Sequence, residues 1–335
     1  MVTFRLVLAR HGGAVVGKDG PHVTQYALDR TLAGAVAVTA VGVVGLGNIG
    51  GAIARNLVAD GHAVAVFDLD VDRVTAVDGA APAAGVAEVA VHSAVTFTSL
   101  PDPSAVAAVA AAWAEAAPTG SILCDLSTTL PDGNRAIADR LASSGHHFVE
   151  APLTGGHVGA ANRTLVFMVG GEDDPVATVR PLLDALGRAT FHLGPVGAGT
   201  TMKLANSLLA FSGAIAAFEA VSLAVTAGID VRTAVDIVKL SGPSNYFLDR
   251  SIEAIDTRGR PTEFSLRLAA KDAELITALG EANGVPTPVA VAALEVLSDA
   301  VERGLGEHDW SDLVVAAEAR SGIQLTIAPK TEDPP

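Results

Sequence analysis

Short, uninterrupted apolar runs alternate with amphipathic segments between residues 41 and 193. The runs predict strands at 41–44, 63–67, 95–98, 121–126, 147–149, 165–169 and 190–193. Segments with a helical period separate them, at 49–59, 102–116, 132–144 and 174–186. Strands that are apolar on both faces are typical of a parallel sheet covered by helices. The pattern predicts one mostly parallel sheet, closed by the run at 190–193.

The pattern changes beyond Gly199, where only helical periods remain. A long apolar helix is predicted at 200–227, followed by helices at 230–240, 246–256, 265–283, 288–303 and 309–320. The predicted fold class is therefore α/β, with a Rossmann-type, mostly parallel sheet domain followed by an all-α C-terminal domain. We place the first domain at 39–197 and the second at 198–325. Residues 1–38 are predicted to be an N-terminal extension, and 326–335 a disordered tail.

Charge and cysteine content narrow the functional classes. The net charge of −15 argues against nucleic acid or an anionic membrane as a partner. Residues 31–54 are uncharged and long enough to span a bilayer, but their six glycines argue against a membrane helix. Cys124 is the only cysteine, which excludes an internal disulfide and favours a reducing compartment. We expect a soluble, cytoplasmic protein with Cys124 in a buried strand.

A glycine-rich motif follows the first predicted strand and opens the first predicted helix. Its residues are Gly45, Leu46, Gly47, Asn48, Ile49 and Gly50. In a dinucleotide site the first glycine permits a tight turn, the second a close approach to the pyrophosphate, and the third close packing of helix on strand. Free N–H groups at the helix start favour an anion. The alternative is a glycine turn that binds no ligand.

Asp68 ends the second predicted strand, 23 residues after Gly45. A carboxylate at this place accepts hydrogen bonds from the adenosine ribose hydroxyls of NAD. It would repel the 2′-phosphate of NADP, and the next residue is Leu69 rather than a compensating arginine. We therefore expect NAD as the cofactor, with NADP as the less favoured choice.

Four further segments, in order and spacing, closely resemble the β-hydroxyacid dehydrogenases, which include 3-hydroxyisobutyrate dehydrogenase and tartronate semialdehyde reductase. These segments are 125–131, 150–156, 197–206 and 271–272. The resemblance runs from about Val41 to Leu313. It implies hydride transfer between the cofactor and a small 3-hydroxy acid, or the matching semialdehyde. It also implies a homodimer or homotetramer formed through the helical domain.

The resemblance also implies roles for individual residues. Lys203 would be the general acid or base, and Asn206, one helical turn further, would share its face. The family often has two asparagines at this place, whereas this chain has Asn206 and Ser207, so which of the two meets the substrate stays open. A lysine with an ordinary pKa is a poor base at neutral pH, so the mechanism needs a buried setting that lowers it. Otherwise Lys203 is a surface lysine.

The remaining implied contacts divide between substrate and cofactor. The resemblance assigns the substrate to Thr154, Gly155, Gly156 and Ser127. It assigns the nicotinamide half of the cofactor to Leu100, Pro101, Thr128 and Lys271. Threonine replaces the family's usual serine at 154, which keeps the hydroxyl and adds a methyl group. Alternatively, Thr128 caps the helix starting near Pro131, and Lys271 is a solvated helix position.

Two alternatives to a hydroxyacid dehydrogenase stay open at this point. One is an imine reductase of the same wider superfamily, in which the proton donor is usually not lysine. The other is a dinucleotide-binding module without catalysis, although such relatives typically lose the lysine. The histidines lack the spacing of a metal site, so no metal is expected. The segment 241–246 is expected to contribute to the wall that selects the substrate.

Overall fold

The computed structural model describes residues 39–242 and 246–327. The predicted N-terminal extension, residues 1–38, lies outside the described residues, as do 328–335 of the predicted tail. Residues 243–245 of the predicted substrate wall also lie outside them.

A six-stranded parallel sheet forms the first half of the structure, with strand order β3-β2-β1-β4-β5-β6. Its strands are β1 (Ala40–Val44), β2 (Ala63–Phe67), β3 (Ala81–Pro82), β4 (Val95–Thr98), β5 (Ile122–Asp125) and β6 (His147–Glu150). The order reverses between β1 and β4, which opens a crevice at the carboxyl ends of the strands. The predicted Rossmann-type sheet is confirmed.

Helices cover both faces of this sheet. They are α1 (Asn48–Ala59), α2 (Val71–Thr75), α3 (Val86–Val91), α4 (Pro103–Ala114) and α5 (Pro131–Ser143). In α1 the apolar positions Ile53 and Leu57 recur at helical spacing and are fully buried in the main core. Cys124 is buried in β5, as predicted, and burial raises the pKa of its thiol well above the ordinary value.

The runs at 165–169 and 190–193 do not extend the large sheet, which corrects the expectation of a single sheet. They form β8 (Leu165–Val169) and β9 (Gly187–His192) in a separate three-stranded sheet. Its third member, β7 (Leu153–Thr154), pairs antiparallel with β8. A bridge between Glu150 and Gly170 connects the two sheets. An apolar run predicts a buried strand but not its partner, so the sequence pattern could not separate them.

Along the chain, α6 (Gly156–Ala161) connects β7 to β8, and α7 (Asp173–Leu186) connects β8 to β9. The short elements β3, β7, α2, α3 and α6 have no counterpart in the sequence prediction. Each has two to six residues, which is too short for a hydrophobic period to be recognised.

The second half of the described chain is helical, as predicted. Its helices are α8 (Ala198–Thr226), α9 (Val231–Lys239), α10 (Tyr246–Asp256), α11 (Leu266–Ala282), α12 (Pro288–Ala300) and α13 (Leu313–Ser321). All of the other five pack against α8, and its first turns reach β8 of the small sheet. Among the described residues α8 alone is long and apolar enough to cross a membrane. This is weak evidence for a membrane span, because the core helix of a soluble protein can have the same length and composition.

Candidate active site at the carboxyl edge of the sheet

The last residues of four neighbouring strands lie side by side at one edge of the large sheet. Val44 pairs with Thr98, Thr98 with Asp125, and Asp125 with Glu150. The loops that follow these residues contain nearly all the positions assigned from the sequence to the sheet domain. Ligands of open α/β sheets bind in the crevice outside this edge.

The glycine motif forms the turn between β1 and α1 with little room to spare. Gly45 has a φ of +87°, and a side chain there would collide with the carbonyl of Ser99. A side chain at Gly50 would collide with the carbonyl of Gly45. Gly47 faces open space, since a Cβ there would have only Arg73 Nη1 within 4 Å, at 3.8 Å.

The start of α1 has the properties of a dinucleotide site. Gly47 is the N-cap residue, and no side chain caps the helix. Its first N–H groups therefore keep their hydrogen-bonding capacity for an anion. Leu46 is buried in the core and Ile49 packs against it, while Asn48 donates from Nδ2 to the carbonyl of Glu263 at 2.8 Å. The start of α1 could therefore bind the phosphates of a dinucleotide through its backbone N–H groups.

Asp68 lies directly beside the glycine turn. Its Oδ2 accepts the Leu46 N–H at 2.6 Å, and its Oδ1 accepts the Asp70 N–H at 2.8 Å. Arg73, on α2, approaches Asp68 at 3.8 Å and Asp70 at 3.3 Å. Sequence reasoning considered only the residue after Asp68 and missed Arg73. Its position on the short helix after β2 was the available signal.

Asp125 organises the loop that follows β5. Its Oδ1 accepts hydrogen bonds from the hydroxyls of Thr98 and Ser127, both at 2.7 Å, while its Oδ2 has no partner. Ser127 Oγ in turn accepts the Leu100 N–H at 2.9 Å. Ser127, assigned to the substrate, is thus buried and engaged within the protein. Burial raises the pKa of Asp125 to about 6, with Glu150 adding to the increase and the hydrogen bonds opposing it.

Leu100 and Pro101 follow β4 at the same edge. Leu100 is half-buried and Pro101 is exposed, so both can line a ligand at the crevice. The Leu100 side chain also lies against the glycine turn, 3.1 Å from the place of a Cβ at Gly45.

Lys271 joins the helical half to the loop after β5. Its Nζ donates to the Thr128 carbonyl at 3.0 Å and pairs with Asp272 Oδ1 at 2.7 Å. The side chain is only 20% exposed, so Lys271 is not a solvated helix position. Thr128 does not cap α5 either, because Leu130 is the N-cap residue and no side chain caps that helix.

Lys203 lies in the second turn of α8 and is half-buried. Desolvation lowers the pKa of its ammonium group, and Lys271 adds to that effect, whereas Asp272 opposes it. Within the described residues Lys203 donates no hydrogen bond and forms no ion pair of 4 Å or less, in contrast to Lys271. Asn206, also half-buried, follows at the spacing of one helical turn.

Thr154 ends β7 and Gly156 begins α6, so the 154–156 loop is the tight connection between these two elements. Thr154 is half-buried, and the two glycines are exposed with φ values of +121° and +62°. The next residue, His157, places Nδ1 3.0 Å from Glu263 Oε2, in the segment before α11. The structure therefore ties this loop, like Asn48, to the helical half.

No group of three or more histidine, cysteine, aspartate or glutamate residues suited to a metal ion occurs in the described part of the chain. Sequence reasoning assigned no role to the Asp125 carboxylate or to Glu150, which are both fully buried. Each is the first residue of a recognised segment, 125–131 or 150–156, and this position was the available signal.

Comparison with known proteins matches both halves of the chain to family models. Residues 40–194 match the NAD binding domain of 6-phosphogluconate dehydrogenase. Residues 197–317 match the model described as NAD-binding of NADP-dependent 3-hydroxyisobutyrate dehydrogenase.

Individual relatives match nearly from end to end. The chain is 30% identical over 292 residues to the 2-(hydroxymethyl)glutarate dehydrogenase of Eubacterium barkeri, covering 85% of this chain and 97% of that protein. It is 33% identical over 287 residues to the NAD-dependent L-serine dehydrogenase of Pseudomonas aeruginosa, covering 81% and 95%.

Among solved structures, the 3-hydroxyisobutyrate dehydrogenase of Mycobacterium tuberculosis with L-serine superposes with a TM-score of 0.77. The identity is 26%, and the match covers 83% of this chain and 98% of that one. The sheet edge, the two family models and the full-length relatives agree, and the chain belongs to the NAD(P)-dependent β-hydroxyacid dehydrogenase family that includes 3-hydroxyisobutyrate dehydrogenase.

Proposed function

We propose that this protein transfers hydride between NAD and a small 3-hydroxy acid or its semialdehyde, with Lys203 as the general acid or base. The observation that carries the proposal is the contrast between two neighbouring lysines. Lys271 is held by Asp272 and the Thr128 carbonyl, whereas Lys203 is unpaired among the described residues and has a lowered pKa. A general acid or base works best with a pKa near the working pH, and an ammonium group without a protein partner is available to the substrate.

The residues divide the reaction between them. The hydroxyl of Thr154 and the exposed amides of Gly155 and Gly156 would hold the substrate carboxylate, since glycines present N–H groups to an anion without obstruction. Neutral Lys203 would accept the proton of the substrate hydroxyl, with Asn206 beside it. In the reverse direction its ammonium form would donate that proton to the carbonyl oxygen. The nicotinamide, when bound, supplies the hydride acceptor or donor.

NAD is the proposed cofactor, because Asp68 would repel a 2′-phosphate. Arg73, the nearby cation that could offset this repulsion, already lies against the Asp68 and Asp70 carboxylates. We expect kcat/KM with NAD to exceed that with NADP. We expect Asp68→Ala to reduce the ratio, because it removes the repelling carboxylate and leaves Arg73 paired with Asp70 alone. A wild-type preference for NADP would contradict the assignment.

The decisive experiment is a substrate panel followed by absorbance at the reduced nicotinamide band. The hydroxy acids are assayed with NAD and NADP in parallel, and the semialdehyde and the imines with NADH and NADPH. The panel contains 3-hydroxyisobutyrate, L-serine, 2-(hydroxymethyl)glutarate, tartronate semialdehyde and a set of cyclic imines. Turnover of a hydroxy acid supports the proposal. Turnover of imines alone would favour an imine reductase. Binding of NADH without turnover of any compound would favour a non-catalytic module.

We further propose that the sheet domain, 39–197, binds the cofactor. The helical domain, 198–325, would form the contact of a homodimer or homotetramer. The exposed leucines of α8 support a contact there, since Leu209 and Leu223 are each 72% exposed. A monomer in sedimentation equilibrium at micromolar concentration would contradict it. The single, buried Cys124 agrees with a cytoplasmic location, which fractionation of the source cells would test.

A further inference from the structure

The carboxylate of Glu150, at the end of β6, is fully buried and has no part in the proposed reaction. It accepts four hydrogen bonds. Oε1 accepts the N–H groups of Gly197 at 2.8 Å and Thr200 at 3.1 Å. Oε2 accepts from Asn134 Nδ2 at 2.6 Å and from Thr200 Oγ1 at 3.0 Å. Every contact is made by a donor, which is the arrangement that an ionised carboxylate requires.

Three of these four donors belong to the start of α8, namely the N–H groups of Gly197 and Thr200 and the hydroxyl of Thr200. Gly197 is the N-cap residue and has no side chain with which to cap the helix. Glu150 therefore supplies, from a distant strand, the acceptor that the local sequence lacks. A negative charge is also favoured at the positive end of a helix dipole. Lys203 follows Thr200 by three residues, so this cap is within one turn of the proposed acid or base.

Close backbone packing also constrains the start of this helix. A side chain at Gly199 would collide with the Met168 carbonyl at the end of β8. A Cβ at Gly170 would lie 2.5 Å from Glu150 Oε1. The start of α8 therefore packs against β8 without room for a side chain at Gly199, while two of its N–H groups bond to Glu150 Oε1.

The hydrogen bonds continue toward the loop after β5. Asn134 donates to Glu150 and Thr200, and its Oδ1 accepts from Thr129 Oγ1 at 2.8 Å. Thr129 adjoins Thr128, whose carbonyl holds Lys271. The residues of this network are at most 2% exposed; they are Thr129, Asn134, Glu150 and Thr200. Because these groups are buried, a donor that loses its acceptor here cannot bond to water instead, and this costs free energy.

We propose that Glu150 is a positioning residue that orients the start of α8 so that Lys203 projects into the crevice. It acts through the helix and touches neither substrate nor cofactor. The proposal rests on the role of Lys203 in the proposed function. Misplacement of a reacting group by about 1 Å can cost 100-fold in rate, so the geometry of this cap has a measurable consequence.

The test is Glu150→Gln, which keeps the shape but replaces one acceptor oxygen by an NH2 group. In place of Oε1 the NH2 group would face the N–H groups of Gly197 and Thr200, and in place of Oε2 it would face Asn134 Nδ2. We expect kcat to fall about 10- to 100-fold. We expect the dissociation constant of NADH, measured by fluorescence, to stay within twofold. A merely structural residue would lower the melting temperature without changing kcat per folded enzyme.

Asp230→Asn is the matched control. Asp230 accepts the Thr233 N–H at 3.0 Å and caps α9, a helix with no proposed site residue. We expect its kcat to equal that of the wild type. A second pair of variants tests the cap independently of the charge. Thr200→Val should lower kcat in the same way, and Thr200→Ser, which keeps the hydroxyl, should restore it.

Wild-type kcat in folded Glu150→Gln would overturn the proposal. If that variant does not fold, the Thr200 pair decides, and equal kcat values in Thr200→Val and Thr200→Ser would overturn it. Lys203→Ala separates this proposal from the proposed function. Loss of turnover in Lys203→Ala with normal turnover in Glu150→Gln contradicts only the role of Glu150. Near-normal turnover in Lys203→Ala contradicts both.

Discussion

Replacing Lys203 by alanine should separate catalysis from stability. Positioned general acids and bases contribute about 10²- to 10⁴-fold to rate, or about 2.7–5.4 kcal/mol at 1.36 kcal/mol per decade. We expect kcat to fall within that range.

The same substitution should hardly change the free energy of unfolding. The Lys203 side chain is half-buried and donates no hydrogen bond among the described residues, so its removal leaves no known partner unsatisfied. Alanine is also the best helix former, and the lost side chain carries a partly desolvated charge. We expect a change within about 1 kcal/mol, which is a melting temperature within about 4 °C of the wild type.

The assay combines initial rates of NADH formation, fluorescence titration of NADH and differential scanning fluorimetry on the same preparation. Lys239→Ala, an exposed lysine in the last turn of α9, is the control and should keep wild-type kcat. A Lys203→Ala enzyme with kcat within tenfold of the wild type would refute the reasoning. So would a loss of activity that follows the folded fraction.

Three further predictions concern pH and reactivity. For oxidation of the hydroxy acid, kcat/KM should rise with pH to a plateau, with an inflection below the ordinary lysine value of 10.5, because desolvation lowers the pKa of Lys203; an inflection at or above 10.5 would contradict this. Burial raises the pKa of Asp125 from 3.8 to about 6, so the folded state binds this proton more tightly, and the resulting stability is lost as pH rises through about 6. In urea unfolding, the free energy of unfolding of Asp125→Asn relative to that of the wild type should therefore increase by up to about 3 kcal/mol between pH 4 and 7. The same pH dependence in both proteins would refute this. Cys124 is fully buried with a raised thiol pKa, so it should react with a thiol reagent only after denaturation, and rapid labelling of the native protein would be the contrary result.

Local patterns in the sequence determined most of the large sheet and most of the helices. Continuous apolar runs such as 41–44 and 63–67 predicted buried parallel strands, and the glycine motif predicted the turn between β1 and α1. These features depend on neighbouring residues, so spacing and residue type were sufficient. The resemblance to a family identified Lys203 and the 154–156 loop as site residues, but it did not predict which residues they contact.

Only the tertiary structure decided which strands pair and which side chains meet. It placed β8 and β9 in a second sheet, set Arg73 beside Asp68, and tied Lys271 to the Thr128 carbonyl across 143 residues of chain. It also brought Glu150 to the start of α8, 47 residues from Gly197. Pairing of distant residues depends on how elements pack, and a hydrophobic period carries no information about that. The sequence therefore shows which helix carries Lys203, whereas the packing of that helix on Glu150 decides where the lysine points.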